Sequence, residues 1–376
     1  MFSRKVMTAL VTPLASIFGS GFLIIVPVLE RTLGAHALFG IVGVCVFIWF
    51  VGTAVRHNVA TAEPLKEAGR LDPTTRRVEQ VADLLIVVAY VISVALYLRI
   101  MSQYVVEFAG SGSDSAERAL ASAAVLLIVG VGVMRGFAGL DLMERFALGA
   151  VLVITTVVGG ALFFTDAVDL LGSGIDLPPV PGEGLTDVLL VLGGIVITVQ
   201  GFETVRYLAD EYDRDTRILA CRLSQLVAAS IYIGFVAVAT PVMGLGSADG
   251  PDETLLDITG RVLPLLSLPL VVTAVLSQFS AATADTVAAD GNLRRLVGGL
   301  MRGARPYVVS GAAAIVLVWT LPTFTIIAVA SRAFAAYYAL ECLVALRTSR
   351  GVRAKVGFGL LAVVLLAITL LAKPAG

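Results

Sequence analysis

Apolar segments of membrane length follow one another along almost the whole chain. A helix needs about 20 apolar residues to cross the hydrocarbon core of a bilayer, which is about 30 Å thick. Because no water reaches the backbone there, such segments fold as helices that satisfy their own polar groups. Eleven segments reach this length, at residues 6–29, 38–56, 79–104, 118–134, 140–164, 185–209, 217–244, 266–291, 305–321, 323–346 and 354–372. We therefore expect an all-α integral membrane protein.

Composition supports a membrane protein and excludes several other classes. Hydrophobic residues account for 58% of the chain and charged residues for 15%, whereas a soluble domain carries about 25% charged residues. Cys45, Cys221 and Cys342 lie far apart, so a disulfide framework is not expected. The sequence has two histidines, no HExxH, no CxxC and no glycine-rich phosphate loop. A net charge of −1 argues against nucleic acid as a partner. We expect no enzyme activity.

Basic residues are concentrated on one side of the expected spans. With the N-terminus inside, 21 of the 27 Lys and Arg residues fall on the cytoplasmic side. The others are Arg31, Arg118, Arg261 and Lys373 outside, and Arg99 and Arg332 within spans. Cytoplasmic loops of membrane proteins carry such an excess of Lys and Arg. We expect a protein of the plasma (inner) membrane, with its N-terminus in the cytoplasm and its C-terminus outside.

Two short polar breaks interrupt apolar segments at matching places in the two halves of the chain. The first is Gly19-Ser20-Gly21, with Pro27 beyond it, and the second is Gln200-Gly201-Phe202-Glu203. A pair of glycine-interrupted membrane segments in corresponding positions points to a transporter's binding site. Unwinding at the first break would present N–H groups that attract a carboxylate. The alternative is that the small residues only pack against a neighbouring helix.

The sequence around these breaks resembles that of the amino acid–polyamine–organocation (APC) transporters. Gly201-Phe202-Glu203, followed by Ala209-Asp210-Glu211, is similar to the Gly-Phe-Glu and Ala-Glu-Glu motifs of that family's sixth span. Gly19-Ser20-Gly21 and Pro27 resemble its first span. Ala289-Asp290-Gly291-Asn292-Leu293 resembles the end of its eighth span. The motifs occur in the right order and in the right spans, and the resemblance covers residues 6–346.

The resemblance implies a LeuT-like fold. Residues 1–165 would form one five-helix repeat, residues 185–346 a second, inverted repeat, and residues 353–376 an additional transmembrane helix. Helices 1 and 6 would be broken at the centre of this 5+5 arrangement.

The resemblance also implies a secondary active transporter that works by alternating access. Its cargo would be an amino acid or a related small polar amine or carboxylate, coupled to H⁺ or Na⁺ by symport or antiport. Its partners would be this small-molecule solute and the lipid bilayer, with no cofactor except Na⁺ as a possible coupling ion. Amino acid carriers often place an aromatic gate where this chain has Val199, which leaves the cargo open. An inorganic cation carrier, for example of potassium, and a solute sensor remain alternatives.

By the same resemblance, the substrate would lie between the two breaks. The candidate substrate-binding residues are Ser16, Gly19, Ser20, Gly21, Val199, Gln200, Gly201 and Phe202, with Tyr90 from the third span.

Ionisable and hydroxyl side chains within the spans are the candidates for coupling or gating, because charge inside a bilayer is costly without a partner. Glu203 could take up a proton, pair with Arg332 or accept hydrogen bonds from the first span, or it could simply hold the break in shape. Asp285 could bind a cation or a proton, or simply bond to a neighbouring helix. Ser280 and Thr283 could be Na⁺ ligands, since hard cations prefer oxygen, or could bond their own helix. Arg332 should have an acidic partner or face an aqueous cavity.

Overall fold

The structure, a computed structural model, describes residues 4–172, 177–182, 184–244, 265, 267–297 and 303–371. Within its helices, side chains are described for all residues except 20–24, 137, 169–171, 196–197, 242–244 and 324. All regular secondary structure in the described residues is helical.

The helices follow the expected segments, and the spans are numbered accordingly. Span 1 is Arg4–Ala9 followed by Val11–Leu33, span 2 is Ala37–His57 and span 3 is Pro73–Phe108. The helix Asp114–Leu171 contains spans 4 and 5. Span 6 comprises Leu185–Ile195, Val196–Val199 and Phe202–Leu208, and span 7 is Arg214–Gly244. Spans 8 to 11 are Ser267–Val297, Arg305–Thr320, Thr323–Thr348 and Val352–Leu371.

Eight helical stretches of the described residues are long and apolar enough to cross a membrane. Two further apolar helices are shorter, Leu185–Ile195 in span 6 and Arg305–Thr320 in span 9. Span 6 is short because its helix stops at the second break, whereas span 9 ends just before the Leu321-Pro322 junction to span 10. The chain is therefore an integral membrane protein.

Span 2 continues past the predicted membrane segment. After His57 the helix widens into a π-turn at Asn58–Ala62 and then runs on as Glu63–Glu67. π-turns often lie at functional sites, because the extra residue redirects the side chains around it. Here the turn places Asn58 inside the protein, where it contacts span 10.

Spans 4 and 5 are separated by a single residue rather than by a loop. Gly136 has φ 59° and ψ −151°, a conformation that glycine adopts without a steric penalty. The two spans together pack against span 8 and contact span 1, and the Ser280 hydroxyl of span 8 bonds the Glu144 carbonyl of span 5.

Span 3 begins with a side-chain cap outside the membrane segment. The Asp72 carboxylate accepts hydrogen bonds from the amides of Thr74 and Thr75, at 3.1 and 3.0 Å, and from the Thr75 hydroxyl. The Thr75 hydroxyl and amide, assisted by the nearby Arg347, lower the pKa of Asp72 to about 2. The carboxylate therefore remains charged and fixes the start of span 3.

Span 6 is interrupted where the sequence predicts, but span 1 is not. Span 6 passes from α-helix to a 3₁₀ turn at Val196–Val199, loses helical structure at Gln200 and Gly201, and resumes as a 3₁₀ helix at Phe202–Leu208. The helix of span 1 instead continues through Gly19-Ser20-Gly21. The interruption expected at that triplet is therefore not observed.

Large aromatic side chains fill the interior around this break. Span 8 packs against spans 1 and 3 and against the helix that contains spans 4 and 5, and span 10 packs against spans 3 and 11. Span 11 is peripheral, since only Ala362 and Leu365 of it are buried. The fully buried aromatic residues come from spans 1, 3, 6, 7 and 10: Phe18, Tyr90, Tyr97, Phe202, Tyr232, Phe334, Tyr337 and Tyr338.

Candidate functional site

The break in span 6 lies directly against the backbone of span 1. Gly201 has φ 127°, and a Cβ atom there would lie 2.6 Å from the Ile17 nitrogen and 2.7 Å from the Ser16 hydroxyl. On span 7, the Tyr232 hydroxyl donates to the Ile17 carbonyl oxygen at 2.7 Å and lies 3.3 Å from that of Thr198. Only glycine fits this contact, both in backbone conformation and in size. The two predicted halves of the site therefore meet at Gly201.

Glu203 folds back onto the break. Its Oε2 atom accepts hydrogen bonds from the Gly201 amide at 2.9 Å and from the Tyr338 hydroxyl at 2.6 Å. Its Oε1 atom accepts from the Tyr90 hydroxyl at 3.3 Å. The carboxylate thus satisfies a backbone group that the broken helix leaves without a partner. The expected contacts of Glu203 with Arg332 and with the backbone of span 1 are not the ones it makes, and its role in coupling stays a prediction.

Asp285 joins three spans beside the break. Its carboxylate accepts a hydrogen bond from the Ser16 hydroxyl of span 1 at 2.7 Å and another from the Ser93 hydroxyl of span 3. The side chain is fully buried, and it forms no salt bridge within the part of the chain that the structure describes. A residue predicted to bind substrate and one predicted to couple ions therefore share one hydrogen bond. Ser93, which the sequence analysis did not single out, completes the arrangement.

Gln200 and Tyr97 form a further polar contact beside the group of Asp285, Ser16 and Ser93. The Gln200 amide nitrogen donates to the Tyr97 hydroxyl at 2.6 Å, and Tyr97 lies one helical turn from Ser93 on span 3. The Gln200 Oε1 atom is buried without a hydrogen-bond partner among the described residues. A buried acceptor in this state is able to receive an N–H group from a bound solute.

Aromatic rings form the other wall of the site. Phe202 stacks on Tyr338, with ring centroids 5.3 Å apart and an interplanar angle of 9°. Tyr90 makes edge contacts with Tyr207 at 6.0 Å and Phe334 at 5.9 Å. Val199 is also buried. The aromatic side chain that amino acid carriers often have at this position is absent, and the aromatic rings around the site come from spans 3, 6 and 10 instead.

Gly19 in span 1 serves close packing. A Cβ atom at this position would overlap Ala281 of span 8. This contact is the packing alternative for the first triplet, and it explains why glycine is needed within a continuous helix. The side chains of Ser20 and of the following residues to Ile24 lie outside the described ones, so the predicted substrate roles of Ser20 and Gly21 stay predictions.

The three coupling candidates of span 8 do not point to one place. The Thr283 hydroxyl donates to the Phe279 carbonyl of its own helix at 2.8 Å. The Ser280 hydroxyl instead contacts the Glu144 carbonyl of span 5 at 3.4 Å. Asp285 is directed towards spans 1 and 3, which agrees with its expected position on a different face of the helix from Ser280 and Thr283. A Na⁺ ion at Ser280 and Thr283 stays a prediction.

Arg332 is exposed on span 10, and it makes no ion pair or hydrogen bond with the described residues. The acidic partner that was expected for it, Asp285 or Glu203, is engaged elsewhere. The opposite case is Arg99, which is buried and pairs with Asp114 at 2.7 Å. The gating role of Arg332 stays a prediction.

A buried ionic cluster lies at the end of the molecule that carries most of the Lys and Arg residues, here called the basic end. The sequence analysis missed this cluster. Arg206 of span 6 pairs with Glu79 of span 3 at 2.9 Å and with Glu341 of span 10. Asn58, on the π-turn after span 2, donates to Glu341 Oε2 at 2.8 Å. All three charged residues lie in predicted spans, and buried charges in a membrane require partners. That requirement was the signal that could have revealed the cluster.

Further charged residues extend the cluster to neighbouring elements. Lys66 lies 3.4 Å from both Glu79 and Asp83. Arg217 of span 7 pairs with Glu63 at 2.7 Å and contacts the Val205 carbonyl at 3.3 Å. Ion pairs at this end therefore connect span 6 with four elements around its 3₁₀ part: spans 3, 7 and 10 and the helix Glu63–Glu67.

Comparisons with known proteins agree with this architecture. A family model described as "APC superfamily transporter" matches residues 1–372. An uncharacterized protein of Aquifex aeolicus (strain VF5) is 34% identical over 346 residues, which cover 91% of this chain and 84% of the relative.

Solved transporter structures share the fold. MhsT in complex with L-phenylalanine is 13% identical, with a TM-score of 0.57 and coverage of 99% of both chains. Mhp1, a nucleobase-cation-symport-1 family transporter with bromovinylhydantoin bound, is 13% identical, with a TM-score of 0.56 and coverage of 98% and 91%. A manganese transporter of Eremococcus coleocola is 10% identical, with a TM-score of 0.62 and coverage of 97% and 86%. These likenesses confirm the predicted LeuT-like fold, whereas the boundaries of the two repeats stay predictions.

Proposed function

The chain belongs to the APC superfamily of secondary transporters, and from this premise we propose that it carries a small polar solute with an amine or other cationic group. Transport would proceed by alternating access, coupled to a gradient of H⁺ or Na⁺. The orientation with the basic end in the cytoplasm belongs to the same proposal.

The observation that carries the proposal is the environment of Asp285. Its buried carboxylate has two hydroxyl partners, Ser16 and Ser93, and no salt bridge among the described residues. A buried charge without an opposite charge costs several kcal/mol, and a bound ammonium group would offset that cost. The Glu203 carboxylate is also buried at the break, so the site carries negative charge and would repel a solute that is only a carboxylate.

The other side chains of the site support the same solute chemistry. The free Oε1 atom of Gln200 is an acceptor for an N–H group. The stacked rings of Phe202 and Tyr338 offer a π-face, which attracts cations. All three of the similar structures described above have a small organic molecule bound: L-phenylalanine in MhsT, bromovinylhydantoin in Mhp1 and an aromatic bis-isothiourea compound in the manganese transporter. An amine or an amino acid is of comparable size.

An inorganic cation is the second candidate, because one of the similar structures is a manganese transporter. The described residues contain no group of three His, Cys, Asp or Glu side chains that could hold a metal ion. A divalent metal would normally require more carboxylate or nitrogen ligands than this site offers. The amine is therefore the stronger candidate, and a monovalent ion such as potassium is an outcome of the test below.

The ionic cluster around Arg206 supports alternating access. It ties span 6, which carries the break, to spans 3 and 10. For solute to leave towards the basic end, span 6 must separate from these spans, which breaks the pairs with Glu79 and Glu341. We therefore assign the cluster to the gate on this side.

Flux measurements in proteoliposomes test the proposal. Primary amines, zwitterionic amino acids, monocarboxylates and potassium would be compared in the wild type and in Asp285→Asn. We expect accumulation of amine-bearing solutes, and at least a tenfold loss in Asp285→Asn. The control is Asp210→Asn, at an exposed aspartate at the basic end. Flux of monocarboxylates alone, or of potassium without any amine, would overturn the proposal. Thermal stabilisation by an amine without flux would indicate a sensor.

A further inference from the structure

Arg56, near the end of span 2, is a buried cation that neither the solute site nor the proposed gate uses. The residue is 6% exposed, and it forms no ion pair with an acid of the described residues. Glu63, the next acid along the chain, is already paired with Arg206 and Arg217. A positive charge within a membrane protein is costly without a partner. The counter-charge for Arg56 must therefore come from outside the described residues.

Contacts with spans 2 and 7 fix the Arg56 guanidinium in place. Its Nη1 atom donates to the Gln225 side-chain oxygen of span 7 and lies 3.8 Å from the Cys221 sulfur. Its Nη2 atom donates to the Trp49 carbonyl oxygen at 3.3 Å. The guanidinium carbon also lies 4.5 Å from the centroid of the Trp49 ring, a cation–π contact. The charged group is therefore held between the two spans and does not extend freely into water.

Gly52 allows span 7 to reach this guanidinium. A Cβ atom at Gly52 would lie only 2.2 Å from the Gln225 side-chain oxygen. The amide nitrogen of the same Gln225 side chain donates to the Ile48 carbonyl oxygen of span 2 at 2.9 Å. Because glycine leaves this space empty, Gln225 lies against span 2 and presents its oxygen to Arg56. The position of the charge is thus built into the contact between the two spans.

The guanidinium keeps donors for a further group. An arginine side chain has five N–H donors, and the contacts with Gln225, Cys221 and Trp49 use three of them. The Nε atom donates to none of the described residues, and these residues do not enclose it. Nε lies next to Nη2 on the guanidinium, and paired donors of this kind suit the oxygens of a phosphate group. An anion that reaches this edge would therefore find donors that are still unused.

The surface beside Arg56 changes from basic to apolar at this level. On span 7, Arg222 is exposed, and Leu226, one helical turn further, is 51% exposed. On span 2, Phe50 and Val46 are 52% and 51% exposed. Arg222 is near enough to Arg56 for the two positive charges to repel each other. Two cations therefore lie together at the border of an apolar, lipid-facing surface.

We propose that Arg56 and Arg222 bind the phosphate group of an anionic phospholipid where spans 2 and 7 meet. Basic pockets between membrane helices bind anionic lipid headgroups through this complementarity of charge. The acyl chains would lie along Phe50, Val46 and Leu226, a contact that a soluble phosphate cannot make. The lipid supplies the counter-charge that Arg56 lacks, and it stabilises the contact between the two spans. This binding does not depend on which solute the protein carries.

Thermal unfolding of the purified, delipidated full-length protein in a neutral detergent tests the lipid site. Dioleoyl phosphatidylglycerol, dioleoyl phosphatidylcholine and inorganic phosphate would each be titrated at constant ionic strength. We expect saturable stabilisation by phosphatidylglycerol, a smaller effect of phosphatidylcholine and none of inorganic phosphate. Arg56→Gln should weaken the apparent affinity for phosphatidylglycerol at least tenfold, and Arg222→Gln should weaken it several-fold. The control is Arg76→Gln, at an exposed arginine at the start of span 3, which should leave the affinity unchanged.

Native mass spectrometry of the same samples counts the phosphatidylglycerol molecules that stay bound. We expect one molecule fewer on Arg56→Gln than on the wild type. Equal affinity and equal occupancy in the wild type and Arg56→Gln would overturn the proposal, as would unchanged affinity in Arg222→Gln if Arg56→Gln does not fold. Equal stabilisation by the two phospholipids would contradict the need for an anionic headgroup. Stabilisation by inorganic phosphate alone would assign Arg56 to a soluble anion instead of a lipid.

Discussion

The Ser16 hydroxyl donates a 2.7 Å hydrogen bond to the Asp285 carboxylate, joining span 1 to span 8 across 269 positions of sequence. Ser93 donates to the other carboxylate oxygen from span 3. Gly201 lies within contact distance of Ser16, so the break in span 6 touches the same point. A solute that binds Asp285 would therefore act on spans 1, 3, 6 and 8 together, and the proposed alternating access would move these spans relative to one another.

The side chains of Ser16 and Asp285 should be energetically coupled through their hydrogen bond. Hydrogen bonds to charged groups contribute about 1.5–3 kcal/mol, so Ser16→Ala should lower the free energy of unfolding by about that amount. In an Asp285→Asn background the same substitution should cost less, because the charge is gone. A double-mutant cycle by thermal or denaturant unfolding measures the difference. Ser230→Ala, whose hydroxyl bonds the Leu226 carbonyl of its own helix, is the control. Fully additive costs would show that the two side chains do not interact.

Gly201→Ala should disrupt the site more than other glycine substitutions do. The alanine would have to adopt φ 127°, and its Cβ would press on the backbone of Ile17. Strain of this kind costs about 1–3 kcal/mol before the steric overlap is added. We expect a lower melting temperature and loss of uptake. Gly234→Ala is the matched control, because a Cβ at that position meets nothing within 4 Å. Normal uptake by a stable Gly201→Ala protein would mean that the contact with span 1 is not needed.

The hydroxyl groups that hold Glu203 should differ in importance. Tyr338→Phe keeps the ring stack with Phe202 but removes the 2.6 Å hydrogen bond, and Tyr90→Phe removes the longer bond of 3.3 Å. A buried carboxylate that loses a donor is destabilised by about 1–3 kcal/mol. Tyr338→Phe should therefore reduce stability and uptake more than Tyr90→Phe. Melting temperatures and initial uptake rates measure both effects, and the reverse order would contradict the geometry around Glu203.

Hydropathy and glycine placement predicted much of this architecture. The spans follow from apolar length, because only helices satisfy their backbone within a bilayer. The break at Gly201 followed from glycine beside polar residues in an apolar segment. The same pattern at Gly19-Ser20-Gly21 did not interrupt the helix, and at Gly19 the glycine allows close contact with Ala281 instead. A glycine needed for packing and one needed for backbone conformation look alike in sequence.

The partners of the buried polar groups were not predictable in this way. Asp285 meets Ser93 across 192 positions, and Arg206 meets Glu341 across 135. Such pairs depend on how the spans cross, which hydropathy does not specify. The expected partner of Arg332 was wrong for the same reason, because placement in a span does not reveal which face of the helix a residue occupies. The requirement that each buried charge have a partner holds for Glu79, Arg206 and Glu341. It does not reveal from sequence which of these residues contact one another.

The proposed gate around Arg206 can be tested through the exposure of a native cysteine. Arg206→Met would leave Glu341 buried without a cation and Glu79 with only Lys66, which costs about 3–5 kcal/mol. Glu341→Gln is milder, since Arg206 keeps Glu79, and it should favour separation of span 6 from span 10. Cys342 is buried beside Glu341 in sequence, so opening should expose its thiol.

Labelling with a thiol reagent checks this expectation. The protein would carry Cys45→Ser and Cys221→Ser, so that only Cys342 reacts. We expect several-fold faster labelling in Glu341→Gln than in the background protein, and slower labelling when an amine that holds the closed state is added. Glu107→Gln, on span 3 at the opposite end from Glu79, controls for the loss of a carboxylate as such. Equal labelling rates in Glu341→Gln and the background, with both proteins folded, would show that the ionic cluster maintains structure without acting as a gate.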